Sequence, residues 1–153
     1  MKYDLQRFLD AQKYMYDVAK RELSHGKKYS HYMWFMFPQI RGLGCSEKAQ
    51  YYGIESLEEA QEYLKHPILR IRLEELIQIL LNLDCDDAYQ IFDSPDDMKL
   101  KSSMTLFKLA EPDNEMFGKV LQKFFQGKED EYTLKILARQ TSKQDLSINP
   151  FEI

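Results

Sequence analysis

Apolar side chains recur at intervals of three and four residues through most of the chain. The clearest run lies between Ile68 and Leu83, where they fall at Leu69, Leu73, Leu76, Ile77, Leu80 and Leu81. This spacing places them on one face of a helix, and no segment shows the strict alternation that is typical of a half-buried strand. We therefore predict a compact, all-α, single-domain multi-helix bundle with about seven to nine helices.

Helix start and stop signals divide this pattern into elements. Asp4 is predicted to cap a long first helix that ends at Gly26, and Ser30 to cap a short helix that Pro38 terminates. Further start signals stand at Ser46, Ser56, the acidic run 84–87, Ser94, Asp113 and Asp130, and Pro67 takes the first position of a helix. We assign residues 1–140 to the helical domain and 141–153 to a polar C-terminal tail, whose apolar residues Ile148 and Phe151 can either dock or leave the end frayed.

The segment from Ser30 to Gly44 departs most from the amphipathic pattern. Its middle, Met33 to Phe37, is apolar throughout and includes Trp34, the only tryptophan of the chain. A soluble monomer rarely exposes so large an apolar patch, so we expect this run to be buried. The polar residues at its two ends would then lie where core meets surface, which is where small-molecule sites are usually lined.

Composition narrows the function classes. The 153 residues are enough for one domain, and 21 basic against 25 acidic side chains give a formal net charge of −4, which argues against a protein that coats nucleic acid. Cys45 and Cys85 lack metal-ligand spacing and are predicted to be reduced thiols, as in a cytoplasmic protein. The N-terminus lacks the apolar core of a signal peptide, and no apolar run approaches the roughly 20 residues of a membrane span.

His31 and Trp34 lie three positions apart and would share one face of a helix. His31 is a candidate general acid or base, because the ordinary pKa of histidine lies near neutrality; alternatively it is a structural residue at the edge of the core. Trp34 can stack on a nucleobase-like ring, or it can belong to the core together with Phe35 and Phe37. The sequence leaves both pairs of alternatives open.

Gln39, Arg41 and the two glycines that follow form a second candidate group. An arginine beside a glycine loop can hold a phosphate or a carboxylate while backbone N–H groups approach it closely. The string Gly42-Leu43-Gly44 matches neither the dinucleotide fingerprint nor a P-loop. A simple turn with a solvated arginine is therefore the alternative.

Hydroxyl groups cluster inside the helix that is predicted to follow Ser94. Ser102, Ser103 and Thr105 come shortly after Lys99, and such residues are unusual in a helix interior because their hydroxyls compete for backbone hydrogen bonds. They can line a ligand site, pack against a neighbouring helix, or supply a serine nucleophile beside a lysine. The order lysine before serine does not match the S-x-x-K pattern, which favours ligand lining or packing.

Metal and cofactor signals are absent from the sequence. The three histidines are dispersed, and the acidic residues between Asp84 and Asp97 stand at predicted helix starts, where carboxylates complement the helix dipole without a metal. We predict no metal site and assign no cofactor.

Long strings along the chain resemble the DUF1810 family, a bacterial and fungal group of small uncharacterised proteins. The matching strings include Asp4 to Phe8, Gly26 to Lys28, Met33 to Phe35, Phe37 to Gln39, Gly42 to Ser46, Lys99 to Leu100 and Ser102 to Phe107, and the resemblance extends roughly from Asp4 to Leu137. It implies an all-α single domain but no activity, substrate or cofactor. The chain departs from the family's pattern at Tyr32, where a tryptophan is frequent, and at Asp93, where a glycine is frequent.

The candidate residues together make one hypothesis. We predict that the central segment and the Lys99 helix pack together and line a pocket with polar edges, formed by Ser30, His31, Trp34, Gln39, Arg41, Lys99, Ser102, Ser103 and Thr105. One function class is a protein that binds or acts on a small anionic, nucleotide-like ligand, with Arg41 and Lys99 on the charge and Trp34 on the ring. The other is a non-enzymatic helical module whose aromatic segment binds a partner protein.

Overall fold

Nine α-helices account for most of residues 2–146, which are the residues that the computed structural model describes. Their bounds are α1 (Gln6–Ser24), α2 (Met33–Met36), α3 (Glu47–Tyr52), α4 (Leu57–Lys65), α5 (Pro67–Asn82), α6 (Ala88–Phe92), α7 (Asp96–Ala110), α8 (Met116–Phe125) and α9 (Glu131–Leu146). The prediction of an all-α single domain is confirmed. The one pairing of extended backbone within these residues is an isolated parallel bridge between Ile40 and Ile54.

Helix α7 occupies the centre of the core. Its residues from Ser102 to Phe107 are all buried, and the helix contacts α2, α4, α6, α8 and α9. Burial on nearly every side explains why α7 shows a weaker amphipathic pattern than the helices at the surface. The polar side chains at its N-terminal end are thereby held against α2 and α9.

The apolar run Met33–Phe37 in the central segment is buried as predicted, with one exception. Met33, Phe35, Met36 and Phe37 are at most 8% exposed, whereas Trp34 is only half-buried. The short helix α2 therefore directs Met33, Phe35 and Met36 into the core and leaves the indole of Trp34 at the edge of the core.

Several predicted helix signals are confirmed. The Ser46 hydroxyl accepts a hydrogen bond from the Ala49 amide at 3.1 Å, and the Ser56 hydroxyl accepts one from the Glu59 amide at 3.2 Å. Pro67 is the first residue of α5. Gly26 follows α1 with a φ of +79°, a left-handed conformation that glycine adopts without strain.

The acidic run 84–87 and Asp130 also cap as predicted: Asp87 accepts from the Tyr89 amide at 2.9 Å, and Asp130 accepts from the Thr133 amide at 3.1 Å.

The caps predicted at Asp4 and Ser30 are wrong, since neither α1 nor α2 has a side-chain cap. Helix α1 begins two residues after Asp4, whose carbonyl oxygen accepts a hydrogen bond from the Arg7 guanidinium. Ser30 lies outside α2, since its hydroxyl donates to Glu22 at 2.5 Å.

Two further start signals are displaced. Pro95, not Ser94, is the N-cap of α7. At α8 the Asn114 side chain, not that of Asp113, accepts from the Met116 amide at 3.0 Å.

Asp93, the residue between α6 and α7, has a φ of 59° and a ψ of 175°. This region of the Ramachandran map is favoured by glycine almost alone, which agrees with the glycine that the family resemblance leads one to expect here. The side chain offsets part of that cost by accepting a hydrogen bond from Lys27 Nζ at 2.9 Å.

Two sequence predictions concern the chain end and the membrane. Helix α9 continues to Leu146, and the division into a domain (1–140) and a tail (141–153) remains a prediction; Ile148 and Phe151 lie outside the described residues.

Among residues 2–146, no helix has both the length and the apolarity that a membrane crossing requires.

Candidate functional site

A cavity of about 550 Å³ opens between the central segment and helices α3, α7 and α9. We call it the Trp34 pocket. One wall comes from α2, the loop after it and α3; the other comes from the start of α7 and the start of α9. The lining residues are Trp34, Gln39, Ile40, Leu43, Gly44, Cys45, Ser46, Ala49, Tyr52, Gly53, Pro95, Met98, Lys99, Ser102, Asp130 and Tyr132.

The loop wall of the pocket is held by the Ile40–Ile54 bridge. The Arg41 amide donates to the Ile54 carbonyl at 2.7 Å, and the Ile54 amide donates to the Gln39 carbonyl at 2.8 Å. Gly53 permits this approach, because a Cβ there would lie 2.8 Å from both the Ala49 carbonyl oxygen and Arg41 Cβ. Two hydrogen bonds therefore fix the backbone on this side, and the lack of a side chain at Gly53 allows the two segments to lie this close.

Two ammonium groups lie against the indole of Trp34. Lys48 Nζ is 4.9 Å and Lys99 Nζ 4.7 Å from the ring centroid, distances at which a cation is attracted to the ring. Lys48 is exposed on α3 and has no carboxylate partner among the described residues. Lys99 extends from the first turn of α7.

The carboxylate of Asp96 is shared by two lysines. Lys28 Nζ lies 2.7 Å from Oδ2, and Lys99 Nζ lies 3.4 Å from Oδ1. The Lys28 side chain is only 5% exposed, so the shorter, more buried contact takes most of the carboxylate's compensating charge. Lys48 and Lys99 at Trp34, together with Lys28 behind them, thus outnumber the one acid that pairs with them, and the local charge on this side is positive.

Asp130 supplies the only carboxylate among the lining residues, on the opposite wall. Its Oδ2 accepts hydrogen bonds from the Ser102 hydroxyl at 2.9 Å, the Thr133 amide at 3.1 Å and the Thr133 hydroxyl at 2.6 Å. The Asp130 amide donates to the Thr105 hydroxyl at 2.9 Å, and that hydroxyl donates to the Lys101 carbonyl. Helix α7 therefore fixes both the backbone and the side chain at the start of α9.

The tyrosines of the pocket provide neutral polar groups. Burial raises the pKa of Tyr52, and the adjacent Tyr51 acts in the same direction, so its hydroxyl stays protonated at neutral pH. Tyr132 is 68% exposed and forms part of the rim.

The structure brings four of the candidate residues together. Trp34, Gln39, Lys99 and Ser102 all line the Trp34 pocket. That these side chains bind a ligand remains a prediction.

The other five candidates do not line this cavity. His31 is exposed, and Arg41 lies in a neighbouring depression and donates to the Gly53 carbonyl at 3.2 Å. Ser30 is engaged by Glu22. Ser103 is fully buried with no hydrogen-bond partner in the part of the chain described, and Thr105 acts behind the wall by holding Asp130.

Sequence reasoning missed Asp130, which lines the pocket, and Lys48, which lies against the ring of Trp34. Asp130 carries a helix-start signal that explains it without a ligand, and its cap to Thr133 is real. Lys48 is a single lysine on a short amphipathic helix and stands out only after folding brings it to Trp34. Lys48 and Asp130 lie far apart in the sequence, so no local pattern indicates that they meet at one site.

A larger, shallower depression of about 790 Å³ lies between α5 and the loop before α8. Its arginine, Arg70, donates to both oxygens of Glu111, at 2.8 and 2.6 Å, and to Glu74 at 2.7 Å. The hydrogen bond from Arg70 holds the pKa of Glu111 below its usual range. Because these charges neutralise one another, this depression has less to offer a ligand than the Trp34 pocket.

Comparison with known proteins gives the family. A family model described as a protein of unknown function (DUF1810) matches residues 2–137. The chain belongs to the DUF1810 family. This confirms the resemblance that the sequence strings indicate.

A solved structure is similar to this chain over most of its length. The chain is similar to a conserved hypothetical protein from Mycobacterium tuberculosis, Rv1873, whose crystal structure was determined at 1.38 Å. The two are 46% identical, the match covers 90% of this chain and 99% of that chain, and the TM-score is 0.88. A comparison with curated proteins found no match.

Proposed function

We propose that the Trp34 pocket binds a small anionic ligand that carries a planar ring, such as a nucleotide. The observation that carries the proposal is the indole of Trp34, which lines a cavity of about 550 Å³ and has Lys48 Nζ and Lys99 Nζ both within 5 Å of its ring centroid. A volume of this size lies within the usual range of small-molecule sites, roughly 300–1,000 Å³.

The charge balance of the pocket favours an anion. Lys48 has no acidic partner among the described residues, and Lys99 shares Asp96 with the more tightly bound Lys28. Like charges held near one ring repel each other, and a phosphate or carboxylate placed between them removes that repulsion. This positive site belongs to a protein whose formal net charge is −4, so the sign is local and specific to this wall.

The aromatic surface favours a ring on the same ligand. A base stacked on an aromatic side chain contributes about 1–3 kcal/mol by alanine substitution. Lys48 is exposed, and an exposed cation–ring contact contributes only about 0.5–1 kcal/mol. Lys48 can therefore leave the indole at small cost, so that the ring of the ligand stacks on Trp34 and the ammonium follows the anionic group.

The proposal is for binding and does not include a catalytic step. His31, the candidate acid or base, is exposed and does not line the cavity. Phe35 and Phe37 are buried, so the aromatic segment does not present the exposed surface that a protein-binding module would need. A cytoplasmic location is part of the proposal and is supported by the free thiols of Cys45 and Cys85.

A thermal-shift screen tests the proposed function. The probes are AMP, GMP, CMP, UMP, ADP-ribose and pyrophosphate. A ligand at about 100 times its Kd adds roughly 2.7 kcal/mol of stability, and a domain of this size gains roughly 2–4 °C per kcal/mol, so a true ligand raises Tm by several degrees.

A matched pair of variants locates the effect. Lys48→Ala should reduce the shift, whereas Lys13→Ala should leave it unchanged, because Lys13 lies 5.5 Å from the ring of Tyr14 on α1 and does not line the Trp34 pocket. If no nucleotide raises Tm, or if both variants lose the shift equally, the proposed function is wrong.

A further inference from the structure

The Asp130 carboxylate has one saturated oxygen and one free oxygen. Oδ2 accepts three hydrogen bonds, from Ser102 and from the amide and hydroxyl of Thr133, whereas Oδ1 accepts none from the described residues. The residue is only 7% exposed and lines the Trp34 pocket. Oδ1 is not among the buried atoms that lack a partner, so it is the carboxylate oxygen that a group in the pocket can reach.

The position of this carboxylate is fixed by groups that a ligand does not touch. Thr105 holds the Asp130 amide from α7, and the buried Thr133 holds Oδ2 from the first turn of α9. Because the Thr133 amide can only donate, the oxygen beside it must be an acceptor. The carboxylate therefore cannot turn its saturated oxygen toward the cavity without losing three hydrogen bonds.

The two walls of the pocket have opposite charge. Lys48 and Lys99 lie on the side of Trp34, and Asp130 lies at the start of α9. A ligand that placed an anionic group beside Asp130 would bring two negative charges together in a partly desolvated site. The anionic end of the ligand must therefore face the lysines, and its other end must offer something that a carboxylate accepts.

We infer that Asp130 is a specificity-determining residue that accepts a hydrogen bond through Oδ1 from one N–H or O–H group of the ligand. This inference rests on the proposed function and names its ligand class more closely: a nucleotide bound through an exocyclic amino group, a ring N–H or a ribose hydroxyl. A simple oxyanion such as pyrophosphate satisfies the lysines alone and leaves Oδ1 unpartnered.

The test is a double-mutant cycle between Asp130→Asn and single-group deletions of the ligand. In Asp130→Asn the amide oxygen must take the place of Oδ2 beside the Thr133 amide, so the NH₂ group takes the place of Oδ1 and the pocket loses its acceptor. The probes are AMP, GMP and their analogues that lack one donor: purine riboside monophosphate, IMP, and the 2′-deoxy and 3′-deoxy nucleotides. Affinity is measured by quenching of Trp34, the sole tryptophan.

The expected result is coupling at one donor. One deletion should weaken binding to the wild-type protein roughly tenfold or more, as expected for a hydrogen bond to a charged acceptor. The same deletion should have little effect in Asp130→Asn, and pyrophosphate should bind both proteins alike. Asp84→Asn is the control, since Asp84 is exposed and does not line the Trp34 pocket, and it should leave every affinity unchanged.

Two other results separate the possible failures. If Asp130→Asn weakens AMP, GMP and all their analogues by one common factor, Asp130 only supports the wall and the inference is wrong while the proposed function stands. If neither nucleotide quenches Trp34 in the wild-type protein, both the proposed function and the inference are wrong.

Discussion

Two clusters of charge in this protein differ in how completely the fold satisfies them. At the first, Arg7 donates to both oxygens of Glu59, at 3.0 and 3.4 Å, and to the carbonyl oxygens of Tyr51 and Gly53, at 2.8 and 3.0 Å. The Arg7 side chain is 5% exposed and the Glu59 side chain is 2% exposed. We call this pair the Arg7 cluster.

The Trp34 pocket is the incomplete counterpart of the Arg7 cluster. Among the described residues, Lys48 has no acid, Lys99 shares one with Lys28, and Oδ1 of Asp130 has no donor. Charges that the fold pairs completely contribute to a unique structure, whereas charges that it leaves partly unpaired at a cavity are available to a ligand. Mutations in the Arg7 cluster should therefore change stability, whereas mutations of the charges at the Trp34 pocket should change binding.

The largest expected effect is at the Arg7 cluster. Arg7→Ala leaves the buried Glu59 carboxylate without its charge partner and should lower the free energy of unfolding by about 3–5 kcal/mol. Urea denaturation measures the change. Lys2→Ala is the control, because the Lys2–Glu58 pair is 70% and 55% exposed and should matter little. A loss at Arg7 no larger than that at Lys2 would remove the basis of the comparison.

A pair of glycines tests how tightly the Arg7 cluster and the pocket wall are joined. Gly53 accepts hydrogen bonds from both Arg7 and Arg41, and a Cβ on it would meet backbone and side-chain atoms of Arg41 and Ala49 at 2.8–2.9 Å. Gly53→Ala should therefore cost about 1–3 kcal/mol. Gly118→Ala, in the interior of α8 with nothing within 4 Å, should instead gain about 0.5–1 kcal/mol. Thermal unfolding of both variants tests the contrast, and equal effects would contradict the close approach.

Glu22 extends the comparison to a carboxylate that hydrogen bonds satisfy without a cation. Burial acts to raise the pKa of Glu22, but hydrogen bonds from the Ser30 hydroxyl and amide and from the Tyr29 amide outweigh it and hold the pKa below its usual value. A lowered folded-state pKa contributes stability above the unfolded-state pKa, near 4.3, which is lost as pH falls toward the folded-state value. Glu22→Gln should therefore cost about 1–3 kcal/mol at neutral pH.

The pH dependence of this loss in unfolding free energy tests whether the charge of Glu22 is responsible for it. The difference in unfolding free energy between the wild-type protein and Glu22→Gln should shrink as pH is lowered through the acidic range. Urea denaturation at a series of pH values measures it. A difference that stays constant with pH would mean that the charge of Glu22 contributes nothing.

A small effect is expected at an exposed ion pair. Asp93→Gly removes the contact with Lys27, where the acid is 61% exposed, but relieves a φ of 59° in a glycine-favouring region. The net change should be a gain of about 1 kcal/mol in the free energy of unfolding. Asp93→Asn keeps the backbone strain and removes only the charge, so it should change little; a large loss in either variant would show that exposed charge matters more than we argue.

Much of the fold follows from local patterns in the sequence. The apolar spacing of α5, the caps at Ser46 and Ser56, and the glycine after α1 depend on residues within one turn of each other, and they were predicted correctly. The cap predicted at Ser30 was wrong because its hydroxyl meets Glu22 from α1, a contact that only the folded chain creates.

The candidate site shows the same difference between residues with a local sequence signal and residues whose role depends on tertiary packing. Trp34 and Lys99 could be proposed from their own surroundings, since an aromatic residue at a core boundary and a lysine beside hydroxyls in a helix are both local signals. Lys48 and the free oxygen of Asp130 could not, because their roles depend on which atoms already have partners after α3, α7 and α9 pack together.

The central claim, that the Trp34 pocket binds a ligand through charges that the fold does not need for stability, is tested most directly by Trp34 fluorescence. The wild-type protein and Lys48→Ala are titrated with AMP and GMP, and urea unfolding of the same two samples is recorded. The account predicts quenching in the wild-type protein, an affinity about tenfold lower in Lys48→Ala, and a free energy of unfolding that agrees within about 0.5 kcal/mol between the two. Equal affinities in both proteins, or a loss of stability that accounts for the loss of binding, would contradict it.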